Sequence, residues 1–367
     1  MLSSLTRRQA LKGGAMLTLG RLVTRPPRAL AGAADAGGTV DLTIDVPAGL
    51  FRRRRGSGRA LVATPPLRAG RPLDLIGARW TAPRNARLEL RVRHRGRWGP
   101  WVRLPDASDH RPDASTTEAA QGARRGGRSM ASEAVAVGGA RVFQLRAETP
   151  VHGLRAHGVA VSRRTAVAAA RPAAARQGVP TVITRSQWGA QAPRTSPEFG
   201  QVQLAFVHHT VTANDYSSGE SASIVRGIQH YHRNVLGWND IGYNLLVDRY
   251  GQVFEGRAGG IDKAVVGAQA QGYNTVSAGI AVIGTHTSVG IPSGAFEALA
   301  AALAWKLSLH GLPTDGEVTV TSTGGPLNRY GAGVLVRLAR ISGHRDGDVT
   351  ECPGGALCCP QDLRQDQ

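Results

Sequence analysis

Residues 163–180, RRTAVAAARPAAARQGVP, separate two parts of the chain whose hydrophobic patterns differ. Before this segment, short alternating or apolar runs lie between Gly and Pro residues, which is typical of β-strands. After it, apolar strands alternate with helical patterns, which is typical of an α/β fold. A length of 367 residues also suits two domains. The sequence therefore predicts an all-β sandwich over 39–162, a linker over 163–180 and an α/β domain over 181–367, with a mixed β-sheet flanked by helices.

The all-β part contains strand patterns such as TVDLTIDV (39–46) and ARVFQLRA (140–147). Their number and spacing favour a sandwich or jelly roll. Between them, the polar residues 106–130 predict a long mobile loop. A turn carries Trp98 and Trp101, which we expect at an exposed edge.

Two helices are predicted in the α/β part. Apolar residues recur at helical spacing over 221–236, so this segment is expected to be amphipathic. His230 and His232 lie two positions apart on it, hence on different faces, and we interpret both as ordinary helix residues. A second helix is predicted from Ser293, as its N-cap, to a stop at Gly311.

The net charge of +19 is confined to one part of the chain. Residues 1–178 contain 32 basic and 11 acidic side chains, whereas residues 179–367 contain 13 basic and 15 acidic ones. A basic surface of this kind can bind nucleic acid, anionic lipid or an anionic wall polymer. The alternative is a compositional bias toward Ala, Arg, Gly and Pro, because nearly all of these charges are arginines.

The first 31 residues resemble a twin-arginine (Tat-type) bacterial export signal. Arg7 and Arg8 precede Lys12 and a short apolar stretch, and Ala29–Ala31 offers a small-x-small cleavage site. We expect residues 1–31 to be removed and the protein to be secreted; an ordinary basic N-terminus is the alternative. No run of 18 apolar residues occurs, so we do not expect an integral membrane protein.

Candidate chemistry concentrates at two strand ends in the α/β part. His208 and His209 end a buried strand, His344 ends another, and Cys352 follows eight positions later. Such strand ends are where α/β sheets place their sites. Two imidazoles and a thiolate with one open position form a catalytic-zinc pattern, and bound Zn²⁺ would activate water for amide or ester hydrolysis. Because neighbouring strand residues point to opposite faces, only one of His208 and His209 can face a metal.

The residues alone leave other interpretations of this pattern open. His344 and Cys352 can be an incidental surface pair, or Cys352 can be a nucleophile with His344 as its base. All three cysteines lie in the last 16 residues, which does not suit a disulfide framework. Cys358 and Cys359 have no assigned role.

Six motifs follow one another in the second half: ITRSQWGA (183–190), FVHHT (206–210), GWNDIGYNLLVD (237–248), GQVFEGRAGG (251–260), VVGAQAQGYNTVSAGIAVIG (265–284) and GHRDGDVTECPG (343–354). Together they resemble the actinobacterial form of the peptidoglycan recognition protein / zinc N-acetylmuramoyl-L-alanine amidase family. The resemblance covers about residues 180–357. It implies the amidase fold, bound Zn²⁺ and hydrolysis of the amide between N-acetylmuramic acid and L-alanine of the stem peptide.

The resemblance also implies roles for individual residues. His208 of HHT, His344 of GHR and Cys352 of CPG correspond to the family's zinc ligands. Tyr243 in IGYN corresponds to the catalytic tyrosine, which orients water or stabilises the oxyanion, and Thr350 corresponds to a supporting position. Relatives that only bind wall fragments typically lack a ligand, most often the Cys. Because all three ligands are present, an amidase is favoured over a non-catalytic recognition module.

The chain departs from the family pattern in three places. Gln269 stands where His is usual, and because that His is not a ligand we expect the change to affect groove contacts. Residues 258–260 replace a usual Trp, which leaves the choice between diaminopimelate and lysine stem peptides open. Residues 358–360, Cys-Cys-Pro, interrupt the family's last helix.

Asn239 and Asp240, beside IGYN, are expected to line the peptide groove.

Peptidoglycan, through its muramoyl stem peptide, is therefore the expected partner, at the cell wall. The basic N-terminal half adds anionic wall polymers as a second partner, with Trp98 and Trp101 as stacking platforms. Packing of both tryptophans against the core is the alternative. We do not expect nucleic acid as a partner.

Overall fold

The computed structural model of the protein describes residues 30–31, 39–53, 61–126, 129–161 and 179–357. The predicted export signal lies outside these ranges except for its last two positions, and so do most of the predicted linker and residues 358–360. Across the described ranges, no helix has both the length and the apolar character needed to cross a membrane.

The first part of the chain forms a β-rich domain, as the strand patterns predicted. Its described elements are β1 (Leu30–Ala31), β2 (Thr39–Val46), β3 (Arg52–Arg53), β4 (Val62–Ala63), β5 (Leu67–Trp80), β6 (Glu89–His94), β7 (Arg97–Trp98), β8 (Val102–Arg103), α1 (Thr117–Gly126), β9 (Met130–Ala131), β10 (Val135–Ala147) and β11 (Leu154–Val161). The main strand order is β1-β2-β11-β5-β10-β4-β3, and β6 also pairs with β10.

Alternation of side chains builds the core of this domain. Leu42, Ile44 and Val46 of β2 are each buried, and so are Phe143 and Leu145 of β10. Because the side-chain period of a strand is two, these residues share one face and pack in one apolar cluster.

The second part of the chain has a six-stranded mixed sheet and a separate hairpin. Its strands are β12 (Val182–Ile183), β13 (Leu204–His209), β14 (Leu245–Val247), β15 (Val253–Glu255), β16 (Ser277–Val282), β17 (Glu317–Thr321), β18 (Leu335–Ala339) and β19 (Ile341–Gly343), and its α-helices are α2 (Arg185–Trp188), α3 (Ser221–His230), α4 (Ser293–Ser308) and α5 (His344–Gly347). The sheet order is β12-β15-β14-β16-β13-β19. Only β14 and β15 pair antiparallel within it.

Helices cover both faces of this sheet. Leu246 packs in a cluster with Ile228 of α3, while its neighbour Leu245 packs in another cluster with Leu299 and Leu303 of α4. This opposite orientation of adjacent strand residues confirms the predicted mixed sheet flanked by helices.

The two predicted helices differ from the structure at their ends. The first is α-helical only over α3 and continues as a π-helical turn, Tyr231–Val235. The second ends at Ser308, and its N-cap is Pro292 rather than Ser293. The Pro292 carbonyl accepts the amide hydrogens of Ala295 and Phe296, so the backbone caps this helix without a side chain.

The prediction of a mobile loop over 106–130 is wrong for its described residues. Asp109, His110 and Asp113 are buried, and the helix α1 follows them. The polar side chains of this segment hydrogen-bond to the second half of the chain. Local composition does not predict such long-range contacts.

Trp98 and Trp101, predicted at an exposed edge, are partly buried. The guanidinium carbon of Arg91 lies 4.6 Å from the ring centroid of Trp98 and 4.5 Å from that of Trp101. That of Arg146 lies 4.4 Å from the centroid of Trp101. Both rings therefore already have cationic partners within their own domain.

The two halves share an apolar interface. Leu75 and Val159 of the β-rich domain belong to the same buried cluster as Tyr231. The Tyr231 hydroxyl donates a 2.7 Å hydrogen bond to the Ser132 carbonyl. A Cβ atom at Gly77 would overlap this tyrosine ring, so the close approach of the halves requires glycine there.

Candidate metal centre

The site lies at the carboxyl ends of two neighbouring strands. β13 and β19 are parallel, with Ala205 opposite Ile341 and Val207 opposite Gly343. His208 follows Val207 on β13, and His344 directly follows β19. Parallel register thus brings the two histidines, 136 positions apart in sequence, to one edge of the sheet.

Four buried side chains converge at this edge. His208, His344 and Cys352 are joined by His110 from the β-rich domain, and one ligand atom of each lies within 4.8 Å of those of the others. His208 is on the side of the strand that faces the group, while His209 instead accepts a 3.1 Å hydrogen bond from the His286 amide. His110 was not among the residues predicted from the sequence.

Gln269 orients the His208 ring. Its side-chain oxygen lies 2.5 Å from His208 Nε2, and its amide nitrogen donates to Ser277 Oγ at 2.8 Å. Nε2 of His208 must therefore carry the proton of the neutral ring. Nδ1 is then unprotonated, and it lies 3.7 Å from Cys352 Sγ. The expectation that Gln269 bears on groove contacts rather than on the histidine–cysteine group is wrong, because burial places its amide directly against His208.

Two contacts position His344 and Cys352. Asp348 Oδ2 lies 3.1 Å from His344 Nε2, and the buried Nδ1 of His344 has no hydrogen-bonding partner. The His209 amide lies 3.4 Å from Cys352 Sγ. Thr350 Oγ1 accepts a 3.3 Å hydrogen bond from the Cys352 amide, so Thr350 orients the loop that carries the thiol.

His110 has carboxylate neighbours of its own. Its Nδ1 lies 3.4 Å from Asp109 Oδ1 and 3.4 Å from Glu133 Oε1, and its buried Nε2 has no hydrogen-bonding partner. Glu133 Oε2 also lies 3.6 Å from Nε2 of His232, whose Nδ1 accepts the Gly242 amide hydrogen at 3.0 Å. His232 is therefore part of the buried network around the site, not the ordinary helix residue that its spacing indicated.

Burial and mutual contacts set the protonation of the group. Burial lowers the pKa of His208 well below its ordinary value, and His344 and His110 reinforce this. Burial opposes protonation of His344 as well, but Asp348 and Cys352 outweigh it and raise its pKa to about 9. Burial also disfavours the Cys352 thiolate, yet the neighbouring His110 and His344 outweigh that and lower the pKa of the thiol.

The donor set fits zinc. Three imidazole nitrogens and one thiolate are ligands that Zn²⁺ takes in tetrahedral geometry, with bonds of about 2.0–2.3 Å and therefore ligand atoms roughly 3.5 Å apart. The 3.7 Å separation of His208 Nδ1 and Cys352 Sγ matches this. Buried nitrogens of His110 and His344 without partners are the atoms that such an ion would satisfy.

Tyr243 lies beside this group. Its ring centroid is 5.4 Å from that of His208 and 5.8 Å from that of His110. Burial raises the pKa of Tyr243 well above its ordinary value, and Glu133 reinforces this, so the hydroxyl stays protonated at neutral pH.

Asn239 and Asp240 make contacts within the protein. The Asn239 amide donates a 2.7 Å hydrogen bond to Glu118 Oε1. Asp240 is fully buried, and its Oδ2 lies 2.9 Å from Arg185 Nη1 and 3.0 Å from the Ala258 amide nitrogen.

Comparison with known proteins gives a consistent result. The family model described as N-acetylmuramoyl-L-alanine amidase matches residues 198–355. N-acetylmuramoyl-L-alanine amidase of Homo sapiens is 31% identical over 186 residues, which are 49% of this chain and 27% of the human protein. The chain thus spans about a quarter of that relative's length.

Smaller relatives are matched over most of their length. Peptidoglycan-recognition protein SC2 of Drosophila melanogaster is 32% identical over 177 residues, which are 47% of this chain and 80% of the fly protein. The solved structure of wild-type Drosophila PGRP-LB is 29% identical and matches 48% of this chain and 89% of its own, with a TM-score of 0.38. On the sequence matches, this chain belongs to the family of peptidoglycan-recognition proteins and N-acetylmuramoyl-L-alanine amidases.

Proposed function

We propose that the protein is a zinc-dependent N-acetylmuramoyl-L-alanine amidase, which hydrolyses the amide between N-acetylmuramic acid and L-alanine in bacterial peptidoglycan. The observation that carries the proposal is the convergence of His208, His344 and Cys352 next to Tyr243. Membership in a family that contains named amidases supports it.

The proposed roles follow from the contacts. His208, His344 and Cys352 would hold Zn²⁺, which would polarise the scissile carbonyl and activate water. Gln269 and Asp348 hold His208 and His344 with one nitrogen free for the metal, as carboxylate or amide partners of ligating histidines do. The protonated Tyr243 hydroxyl donates a hydrogen bond to the oxyanion of the tetrahedral intermediate. Thr350 Oγ1 positions Cys352 by accepting the hydrogen of the Cys352 backbone amide.

The proposed setting is the cell wall. Relatives include peptidoglycan-recognition proteins, and the structures of some describe complexes with tracheal cytotoxin, a monomeric diaminopimelic acid-type peptidoglycan. We infer secretion from the Tat-like pattern of residues 1–31 and binding of anionic wall polymers from the basic N-terminal half. Charge carries the second inference, because Arg91 and Arg146 already occupy the faces of Trp98 and Trp101.

A second candidate function is peptidoglycan binding without turnover. One observation favours it: His110 makes the group a set of four potential ligands, and closed four-ligand zinc sites are usually structural. A thiol amidase with Cys352 as nucleophile is a third reading, and it needs no metal.

The test is release of stem peptides with a free L-alanine amino terminus from purified sacculi. The full chain and its His110→Ala variant are assayed as purified, after chelator treatment and after zinc is restored. Zinc-dependent release supports the proposal, and chelator-resistant release supports the thiol reading. Zinc-loaded protein that binds sacculi tightly but releases no peptide in either form contradicts the amidase proposal.

A further inference from the structure

The buried group is assembled from both halves of the chain, and His110 is the only member from the β-rich domain. The ring centroid of His110 lies 4.5 Å from that of His344 and 5.4 Å from that of His208. It also lies 5.8 Å from that of Tyr243, edge to face. His110 thus packs against His208, His344 and the proposed catalytic tyrosine, and a scissile carbonyl would have to reach these same side chains.

The placement of His110 is held from within its own domain. The Ala107 amide donates to the Ala131 carbonyl at 3.1 Å, and the Glu133 amide donates to the Pro105 carbonyl at 2.8 Å. This pairing sets the Glu133 carboxylate beside Nδ1 of His110. A carboxylate on one ring nitrogen, with the other nitrogen free, is the usual environment of a metal-ligating histidine.

The segment around His110 is also bound to the second part of the chain, residues 179–357, which we call the amidase-like half. The buried Asp113 carboxylate accepts hydrogen bonds of 2.7 Å from the Gly272 amide and 2.7 Å from Asn274 Nδ2. Asn274 Nδ2 also donates to the Arg111 carbonyl at 2.9 Å, and the Gln271 amide donates to the Asp109 carbonyl at 2.9 Å. The segment therefore covers the loop 269–275 that carries the His208 partner.

A charged contact extends this cover beyond the buried group. Nη2 of the buried Arg257 donates to both carboxylate oxygens of Glu118, at the start of α1, with both distances 2.8 Å. Glu118 Oε1 also accepts the Asn239 amide hydrogen. Hydrogen bonds between ionised groups are stronger than those between neutral ones. Residues 109–118 thus lie across the site and are fixed at both ends; we refer to them as the plug.

We propose that the plug is autoinhibitory and that His110 is a displaceable fourth ligand of the metal, so that the intact chain is a latent amidase. This inference rests on the proposed function. A site with four protein ligands has no position for water or substrate, whereas a catalytic zinc site keeps one open. Displacement of the plug would leave His208, His344 and Cys352 in place, because their own partners Gln269, Asp348 and Thr350 belong to the other half.

The test compares the zinc-loaded full chain with its His110→Ala variant, and uses His94→Ala as a matched control because His94 is exposed on the same domain. X-ray absorption at the zinc edge counts the ligands. We expect three nitrogens and one sulfur in the parent and the control, but two nitrogens, one sulfur and one oxygen in His110→Ala. Release of stem peptides from sacculi should rise at least about tenfold in His110→Ala and stay at the parent level in His94→Ala.

A second variant guards against misfolding of the first. Asp113→Asn weakens the plug without touching the buried group, so it should raise the release of peptides while the parent ligand count is partly retained. A parent protein with an oxygen ligand and the activity of His110→Ala would overturn the inference and leave the proposed function standing. If His110 ligates zinc in the parent but neither variant cleaves, the amidase function fails instead, and the site is a structural one.

Discussion

The two halves of the molecule supply the same kind of unit to one buried site. In the amidase-like half, His344 pairs with Asp348, and both arise from one short stretch after β19. In the β-rich half, His110 lies beside Glu133, which comes from a different segment of that domain. Both are histidine–carboxylate pairs with a buried free nitrogen. They differ in context: the first lies within a family motif, and the second within a polar stretch without one.

This difference teaches how a site can be regulated without new catalytic residues. Three potential ligands belong to one half and are held there by local contacts, so that half carries the proposed chemistry. The fourth comes from a half that packs through a shared apolar interface. Relative movement of the halves can change the number of ligands, whereas movement inside either half would disrupt its core.

The largest effect is expected for Cys352→Ser, which removes the only sulfur of the group. We expect zinc affinity to fall by more than about 100-fold, because loss of a ligand costs more than loss of a partner of a ligand. Competition with a chromogenic chelator measures this. Cys358→Ser is the control, as the same change at another cysteine of the chain. Undiminished zinc binding by Cys352→Ser would show that the thiol is not a ligand.

Tyr243→Phe tests whether the amidase-like half alone holds the chemistry. In the His110→Ala background we expect the rate of peptide release to fall by about 10²–10³, because an oxyanion donor is lost. Zinc content should not change. The control is Tyr330→Phe, at an exposed tyrosine. An unaltered rate would remove Tyr243 from the proposed mechanism.

Gly77→Ala targets the contact between the halves. A Cβ atom there would overlap the buried Tyr231 ring, so we expect a loss of about 1–3 kcal/mol in the free energy of unfolding. Peptide release should rise as the plug loosens. Gly70→Ala, on the same strand β5 and with open space around it, should change stability by less than about 0.5 kcal/mol. Equal effects of the two substitutions would mean that the interface does not depend on the close contact between Gly77 and the Tyr231 ring.

The smallest effect concerns pH and only the β-rich half. Burial, reinforced by Arg79 and Arg155, lowers the pKa of His157 to about 4 from an ordinary 6.5. The unfolded chain therefore takes up a proton below pH 6.5 that the folded chain does not. The contribution of His157 to the free energy of unfolding therefore falls as pH drops from 6.5 toward 4, and it is constant above pH 6.5.

Thermal unfolding of the parent and of His157→Gln between pH 7.5 and about 4.5 measures this effect. The Tm of His157→Gln minus the Tm of the parent should increase as pH falls. His94→Gln, at an exposed histidine, is the control. A difference that stays constant over this range would contradict the assigned pKa.

Much of the fold could be predicted from local pattern. The run TVDLTIDV is β2, residue for residue, because strict alternation buries one face of a strand. The mixed sheet follows from strands such as β13, whose every residue is buried. Helix ends were less predictable, since Pro292 caps α4 through its backbone, without the side chain that the prediction used.

The candidate site was predicted in part. His208, His344 and Cys352 lie together because parallel pairing of β13 and β19 aligns their ends. The face of β13 that carries His208 was assigned from the resemblance alone, because spacing treats His208 and His209 alike. His110 was missed, since the three-ligand pattern was already complete and a single histidine in a polar stretch carries no signal.

The sequence by itself determined what is local: the strand and helix periods, the change of pattern between the two parts, and the motifs that carry two histidines at adjacent strand ends and a cysteine in the segment that follows. Only the tertiary structure decided that Asp109, His110 and Asp113 are buried against the other half and that His110 meets His208, 98 positions later. The physical reason is that a polar side chain is buried wherever distant partners satisfy it. For Asp113 and Glu118 those partners are Gly272, Asn274 and Arg257, more than 130 positions away, so no local pattern records them.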